Sequence, residues 1–188
     1  MTRSVSQHPR WAELEYEFCP KCGAPLESKI IKPTEPERLV CTECHFIFFI
    51  DPKVAAGTIF QTGNKIVLAR RAIDPGYGKW VFPGGFVDRG ETAEEAACRE
   101  AKEEVNAEVE LKELVGVYSY AGVPIVVIVY AARLIGGDIS AADECLDVRG
   151  FTPDEIPWQE LAFSSIRDAL KDYLRRYTSV TPPDEEES

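Results

Sequence analysis

The chain has no apolar run long enough to cross a bilayer, no apolar stretch among its first eighteen residues, no internal repeat and no surplus of positive charge. A membrane helix needs about 20 consecutive apolar residues and a secretory leader an apolar segment behind its basic end, and Arg3, Arg10 and their polar neighbours supply neither. A soluble, cytoplasmic protein with no membrane partner is expected. Lys and Arg number 21 against 32 Asp and Glu, and the net charge of −11 disfavours tracking along a phosphate backbone, which is gripped through clustered basic side chains. Nucleic acid is therefore a disfavoured partner. What is present is apolar matter, 45% of 188 residues, enough for one main core beside a small appendage.

The appendage is marked by Cys19-Pro-Lys-Cys22 and Cys41-Thr-Glu-Cys44, two CxxC pairs separated by eighteen residues. Four thiolates at these spacings can close a tetrahedral shell around one Zn²⁺ with no open position, which makes the metal structural. The alternative, disulfides or redox pairs, suits an oxidising compartment that nothing here marks. His45 directly follows the fourth cysteine and reads as a local hydrogen-bonding residue, because the thiolates already fill the shell. Cys98 and Cys145 read as small half-buried side chains without a role.

The densest signal is Gly85 to Ala107, where a glycine turn feeds a segment rich in Ala, Glu, Lys and Arg. With no Pro or Gly from Thr92 to Val105, that span is expected to be a helix starting near Gly90 and Glu91. Positions three and four apart share a helical face, so Glu100, Glu103 and Glu104 converge while Ala93, Ala96, Ala97 and Ala101 pack inward. Carboxylates crowded this way repel unless a divalent cation lies between them, and an all-oxygen donor set selects Mg²⁺ or Mn²⁺. Arg99, four residues before Glu103, is placed to hold one of the ligands by a fork of hydrogen bonds. The plainer alternative is a salt-bridged surface helix.

Gly85, five residues, Glu91, seven residues, then Arg99-Glu100-Ala101-Lys102-Glu103-Glu104 resembles the Nudix box. Ala101 and Ala107 stand where larger aliphatics are usual, and Asn106 where glycine is usual. None of the three is a metal ligand, and Asn is the side chain that best tolerates the left-handed turn at a helix end. The resemblance implies an α+β Nudix fold, a mixed sheet sandwiched between helices, preceded by the zinc ribbon. The organisation expected is an N-terminal segment at 1–18, the ribbon at 19–49, a hydrolase domain at 50–178 and an acidic disordered tail at 179–188.

Residue patterns agree with that order. Val54 to Phe60 and Lys65 to Arg71 read as strands of one hairpin about Gln61-Thr62-Gly63-Asn64, followed by a short extended piece at Trp80 to Phe82. Val115 to Tyr120 and Pro124 to Leu134 read as strands, the latter apolar enough to be central and broken by Gly136-Gly137. Another strand is expected at Asp147 to Phe151 and an amphipathic helix at Ser164 to Tyr177.

Chemically, the resemblance implies a pyrophosphatase acting on a nucleoside diphosphate joined to a second group, releasing a mononucleotide and a phosphorylated remainder. Mg²⁺ or Mn²⁺ at Glu100, Glu103 and Glu104 would neutralise the pyrophosphate and lower the pKa of the attacking water. The base is either Glu100 or a later loop glutamate, here Glu144, whose plainer reading is an acidic surface loop. Arg99 orients the ligands. Gly84 and Gly85 let the backbone approach a phosphate; Arg70 belongs to a basic group with Lys21, Lys29, Lys32, Lys53, Arg71 and Lys79. Tyr118, Tyr120 or Phe86 offers a ring to adenine, though each also reads as a half-buried strand residue.

For substrate, the segment Gly116-Val-Tyr-Ser-Tyr-Ala-Gly-Val-Pro124 lacks the Ser-Gln-Pro-Trp-Pro-Phe-Pro motif of NADH pyrophosphatases, and Pro124 stands where ADP-ribose enzymes tend to carry proline. ADP-ribose and FAD- or NADH-like compounds are thus the expected small-molecule substrates. A non-catalytic nucleotide sensor is disfavoured by the intact Glu91, Glu100, Glu103 and Glu104, and RNA-cap processing by the acidic balance. The family's frequent dimers make a homodimer an admissible assembly.

Overall fold

The computed structural model describes residues 16–177; the first fifteen residues of the expected N-terminal segment, and the expected acidic tail, lie outside them. The chain divides into two compact units, one reaching to Pro52 and including Gly122–Pro124, the other holding the rest from Lys53.

The first unit is a three-stranded antiparallel sheet in which β1 (Leu26–Lys29), β2 (Arg38–Cys41) and β3 (Ile47–Phe48) follow in order. It is too small for a large core. Tyr16 packs edge-on against Phe48 at 4.8 Å, while Phe18, Phe49 and Ile50 stay exposed, so cross-linking must supply what apolar burial does not.

The second unit contains β4 (Lys53–Ile59), β5 (Gln61–Thr62), β6 (Lys65–Arg71), β7 (Trp80–Val81), β8 (Gly84–Phe86), α1 (Ala93–Val105), β9 (Glu108–Tyr118), β10 (Ile125–Gly136), β11 (Cys145–Phe151) and α2 (Ser164–Tyr177). A mixed sheet runs β8-β4-β10-β9, and a second runs β11-β6-β5 with β7 on β6. β10 lies in the interior, as its apolar run suggests, parallel to β4 and antiparallel to β9. Successive side chains on a strand face opposite ways. Val129 accordingly packs in the main core with Leu170 and Leu174 of α2, and Tyr130 against Ala56 of β4 and Ala96 and Ala97 of α1.

One connection departs from the expected order. β4 and β6 are not partners: the chain leaves the first sheet after Ile59, passes through fully buried Phe60, and enters the second as β5. The hairpin is β5–β6 about Gly63, extended by the Val67 N–H bond to Phe60 O at 3.2 Å. The turn residues were legible, but β4's partners are β8 and, 72 residues along the chain, β10, and no local pattern announces either. β9 also starts earlier than expected, at Glu108, because its first half alternates charged and half-buried residues as an edge strand does.

α1 begins with a capping box. Thr92 Oγ1 accepts from Glu95 N–H at 3.1 Å and Glu95 Oε2 accepts from Thr92 N–H at 2.8 Å. It ends at Asn106 with φ 52° and ψ 30°, the left-handed cap that asparagine tolerates. Its buried alanines let the helix axis lie close to β4.

β4 and β8 meet through paired glycines, Gly57 and Gly84. A Cβ on Gly57 would sit 2.7 Å from Pro83 O and one on Gly84 2.7 Å from Gly57 Cα, so neither position admits a side chain without moving backbone. Gly57→Ala is therefore expected to destabilise the protein by about 1–3 kcal/mol, measured as a lowered denaturant midpoint at unchanged slope.

Candidate functional site

The C-terminal half of α1 and the segment between β10 and β11 build an acidic cleft of about 340 Å³, lined by Glu100, Glu103, Glu104, Ala142, Asp143 and Glu144. Three helical glutamates and the loop glutamate singled out in the sequence thus share one cavity. Asp143 joins them, and its only signal in the sequence is its place beside Glu144.

Arg99 organises the near side. Its Nε and Nη2 hold both oxygens of Glu91 at 2.9 and 3.0 Å, Nη1 reaches Glu100 at 2.7 Å and Glu103 at 2.9 Å, and Nη2 also donates to Phe86 O at 3.1 Å. The fork expected on one of the metal ligands falls on Glu91 instead, which lies ahead of the helix, while Glu100 and Glu103 receive one bond each. Arg99 holds the Glu91 carboxyl below its ordinary range. Glu100 moves the other way: burial raises it, against the attraction of Arg99. Its carboxylate occupies the space a Cβ on Gly85 would need, so a side chain there would displace Glu100 from its present seat.

Glu104 is the most enclosed of the set. Burial pushes it up to about 7, opposed by the Gly84 N–H that donates to Oε2 at 2.9 Å and reinforced by the charges of Glu100 and Glu144. Arg71 offers partial relief. Glu144 has no side-chain hydrogen bond or ion pair among the described residues, and its residue is exposed.

The donor set is oxygen only, which fits a hard divalent cation. The carboxylates are not converged, however: among the described residues, only the four cysteines place three or more ligand atoms within 4.8 Å of one another. Glu100 and Glu103 are engaged by Arg99 and Glu104 by Gly84, so loading a cation requires these side chains to turn inward.

Other sequence candidates lie elsewhere. Arg70 does not line the cleft; its Nε donates to Gly78 O at 2.7 Å and its guanidinium lies 6.0 Å from the Trp80 ring. Its neighbour Arg71, which faces the other way on β6, is the cation that Glu104 senses. Tyr118 and Tyr120 line a separate cleft with α2, donating to Asp172 at 3.0 Å and Asp168 at 2.5 Å. Of the three aromatic candidates only Phe86 adjoins the glycine turn with an exposed ring, and Lys53 Nζ lies 5.0 Å above it.

In the first unit the Sγ atoms of Cys19 and Cys44 are 3.8 Å apart, and Cys22 lies 3.4 Å from both Cys41 and Cys44. All are free thiols. A tetrahedron with Zn–S bonds of about 2.3 Å has edges of about 3.8 Å, so the cluster fits one zinc ion and is far too open for disulfides. Burial opposes charge on Cys41, yet the N–H groups of Cys44 and Glu43 bring it down to about 6. His45, with φ 56°, turns the chain and is not in the cluster.

With this geometry in view, comparison with known proteins is informative. The NUDIX domain family matches residues 51–173. The chain belongs to the Nudix family. The Nudix N-terminal zinc-ribbon family matches residues 17–49 of this Nudix hydrolase. Similar proteins include an ADP-ribose pyrophosphatase of Methanocaldococcus jannaschii, 34% identical over 81% of this chain and 87% of that protein. An NAD-capped RNA hydrolase NudC of Pseudomonas aeruginosa is 26% identical over 95% of this chain, which spans only 63% of the relative. A crystal structure of a NUDIX hydrolase from Nitrosomonas europaea superposes with a TM-score of 0.82 at 38% identity, covering 90% of this chain and 97% of that one.

Two outcomes follow from the site. Elemental analysis of protein purified without chelators should give one zinc per chain, and Cys41→Ser should lose it. In EDTA, Glu104 stabilises the fold fully below its unfolded value near 4.5 and loses that contribution as pH rises through about 7, because the folded state keeps the proton longer. The Glu104→Gln variant should therefore gain thermal stability relative to wild type between pH 5 and 8 in EDTA, measured by melting the two side by side.

Proposed function

We propose that this Nudix hydrolase cleaves the pyrophosphate bond of a nucleoside diphosphate derivative, ADP-ribose foremost and FAD- or NADH-like compounds next, with Mg²⁺ or Mn²⁺. The observation that carries the reading is the single cleft holding Glu100, Glu103, Glu104 and Glu144 beside the Gly84–Gly85 turn. Glu100, Glu103 and Glu104 would hold the cation, which supplies charge neutralisation at the pyrophosphate and acidifies the attacking water. The domain division that goes with it assigns 19–49 to the ribbon and 50–178 to the hydrolase, with zinc confined to folding.

The protein's own groups supply the rest. Arg99 keeps Glu100 and Glu103 oriented, and the Gly84 N–H fixes one oxygen of Glu104 beside them; Gly85 meets the diphosphate once Glu100, which lies over it, turns to the cation. Glu144 accepts the proton of the attacking water. Its unbonded carboxylate supports that role over Glu100, whose Oε1 is already bound to Arg99 and whose carboxylate lies against Gly85. Phe86 is the ring best placed for a base to stack on.

ADP-ribose leads because the M. jannaschii relative carries that name, and Pro124, at about the distance past the box where ADP-ribose enzymes tend to carry proline, supports the same choice. The NudC relatives favour a second reading, NAD-capped RNA; the net charge of −11 and the absent Pro-Trp motif weigh against it.

Incubation with ADP-ribose, FAD, NADH and NAD-capped RNA in Mg²⁺ should release AMP from ADP-ribose fastest; preferential cleavage of the capped RNA would reverse the order of the two readings. Glu104→Gln should weaken Mg²⁺ binding and turnover together. Glu144→Gln should lower kcat by about 10²–10⁴ while leaving the Mg²⁺ dependence in place, and full activity in that variant would transfer the base to Glu100.

A further inference from the structure

The C-terminal end of α1 is closed in an unusual way. Asn106 N–H bonds back to Lys102 O at 3.1 Å and Ala107 N–H to Ala101 O at 3.0 Å, leaving later carbonyls of the helix open. Two of them are taken by the segment between β10 and β11: Ala142 N–H donates to Glu104 O at 3.1 Å and Ser140 N–H to Val105 O at 3.2 Å. The same segment is held from the side by Asn106, whose Nδ2 donates to Asp138 O at 3.0 Å. Ser140 Oγ donates to the same carbonyl at 3.1 Å. Asp143 and Glu144, the next residues along, are those that line the acidic cleft.

Glycine would serve the left-handed turn at 106 at least as well as asparagine, since it carries no Cβ penalty there. What glycine cannot do is donate to Asp138. The side chain at 106 therefore does something the turn itself does not ask for. The backbones are also close here, since a Cβ on Gly137 would collide with Asn106 O.

The geometry points to Asn106 as a positioning residue: its amide anchors the acidic loop to the end of the metal helix and so sets Glu144 against Glu100, Glu103 and Glu104. This rests on the reading of Glu144 as the base. Asn106 touches no reacting atom; it acts through the loop. A loop free to drift would still present a carboxylate to the cleft, but a displacement of about 1 Å at a reacting group is enough to lower turnover by about 10²-fold.

The test uses the full-length, zinc-loaded protein and the Asn106→Gly variant, which keeps the turn. Amide hydrogen exchange, with no substrate present, should be faster at Ser140 and Ala142 in the variant and unchanged in β10 and β4. With ADP-ribose and Mg²⁺, kcat should fall by at least about tenfold at unchanged KM and unchanged Mg²⁺ dependence. In the Glu144→Gln background, Asn106→Gly should cost nothing further, because both act through one carboxylate. Unchanged exchange in the loop overturns the anchoring. Faster exchange with full kcat, or losses that multiply in the double variant, overturns the positioning of Glu144. If wild type hydrolyses none of the substrates, the proposed function fails while the exchange measurement still decides whether Asn106 holds the loop.

Discussion

Glu91, Glu100 and Glu103 can stand together only because one guanidinium stands among them. Like charges a few ångströms apart in a partly buried site cost several kcal/mol at an effective dielectric near 20, and the folded chain would otherwise shed them by protonation or by swinging them outward. Arg99 answers with all of its geometry in use. One edge grips Glu91 from the loop before the helix, one nitrogen is shared by Glu100 and Glu103 on the helix, and one hydrogen bond goes to Phe86 O in the turn. Turn, loop and helix are thereby tied at one point. A lysine, with a single compact charge, could hold only part of this set.

The second constraint is closeness. Ala96, Ala97 and Ala101 let α1 approach β4, and Gly57 and Gly84 let β4 and β8 approach each other, so that the Gly84 N–H arrives within 2.9 Å of Glu104. Small residues and a polar pocket are here one arrangement. The same closeness buries Glu104 and raises its carboxyl toward neutral pH, while Glu103, Asp143 and Glu144 keep the outer part of the cleft in contact with solvent.

The parts of this architecture governed by local chemistry were readable in the residues. Thr92 and Glu95 form their capping box near the expected helix start, Asn106 turns left-handed, and α2 spans Ser164–Tyr177 as its apolar spacing requires. The four cysteines draw together as their spacing implies, whereas the cleft glutamates share one cavity without converging. What was not readable depends on partners distant in the chain. Ile59 and Phe60 look the same whether the strand turns back on itself or crosses to another sheet. Arg70 and Arg71 are adjacent, and only the facing of β6 makes Arg71 the one sensed by Glu104. Tyr118 and Tyr120 fit a stacking platform by composition, yet their hydroxyls are claimed by Asp172 and Asp168 of α2, some fifty residues away, which no spacing around β9 announces.

β9 ends its sheet with eleven residues, and among the described residues no strand covers its outer side. An uncovered strand of that length, with Leu114 and Val117 exposed along it, is the kind of edge on which foreign strands add and fibrils start. Its register is interrupted at three places against β10, and Glu110 is clasped by Lys112 and Arg133, which bring it down to about 2. Arg176 of α2 also occupies the Leu114 carbonyl at 3.2 Å. A stranger arriving there meets charge, broken spacing and a spent acceptor, so the strand that helps frame the core is a poor template for self-association into fibres.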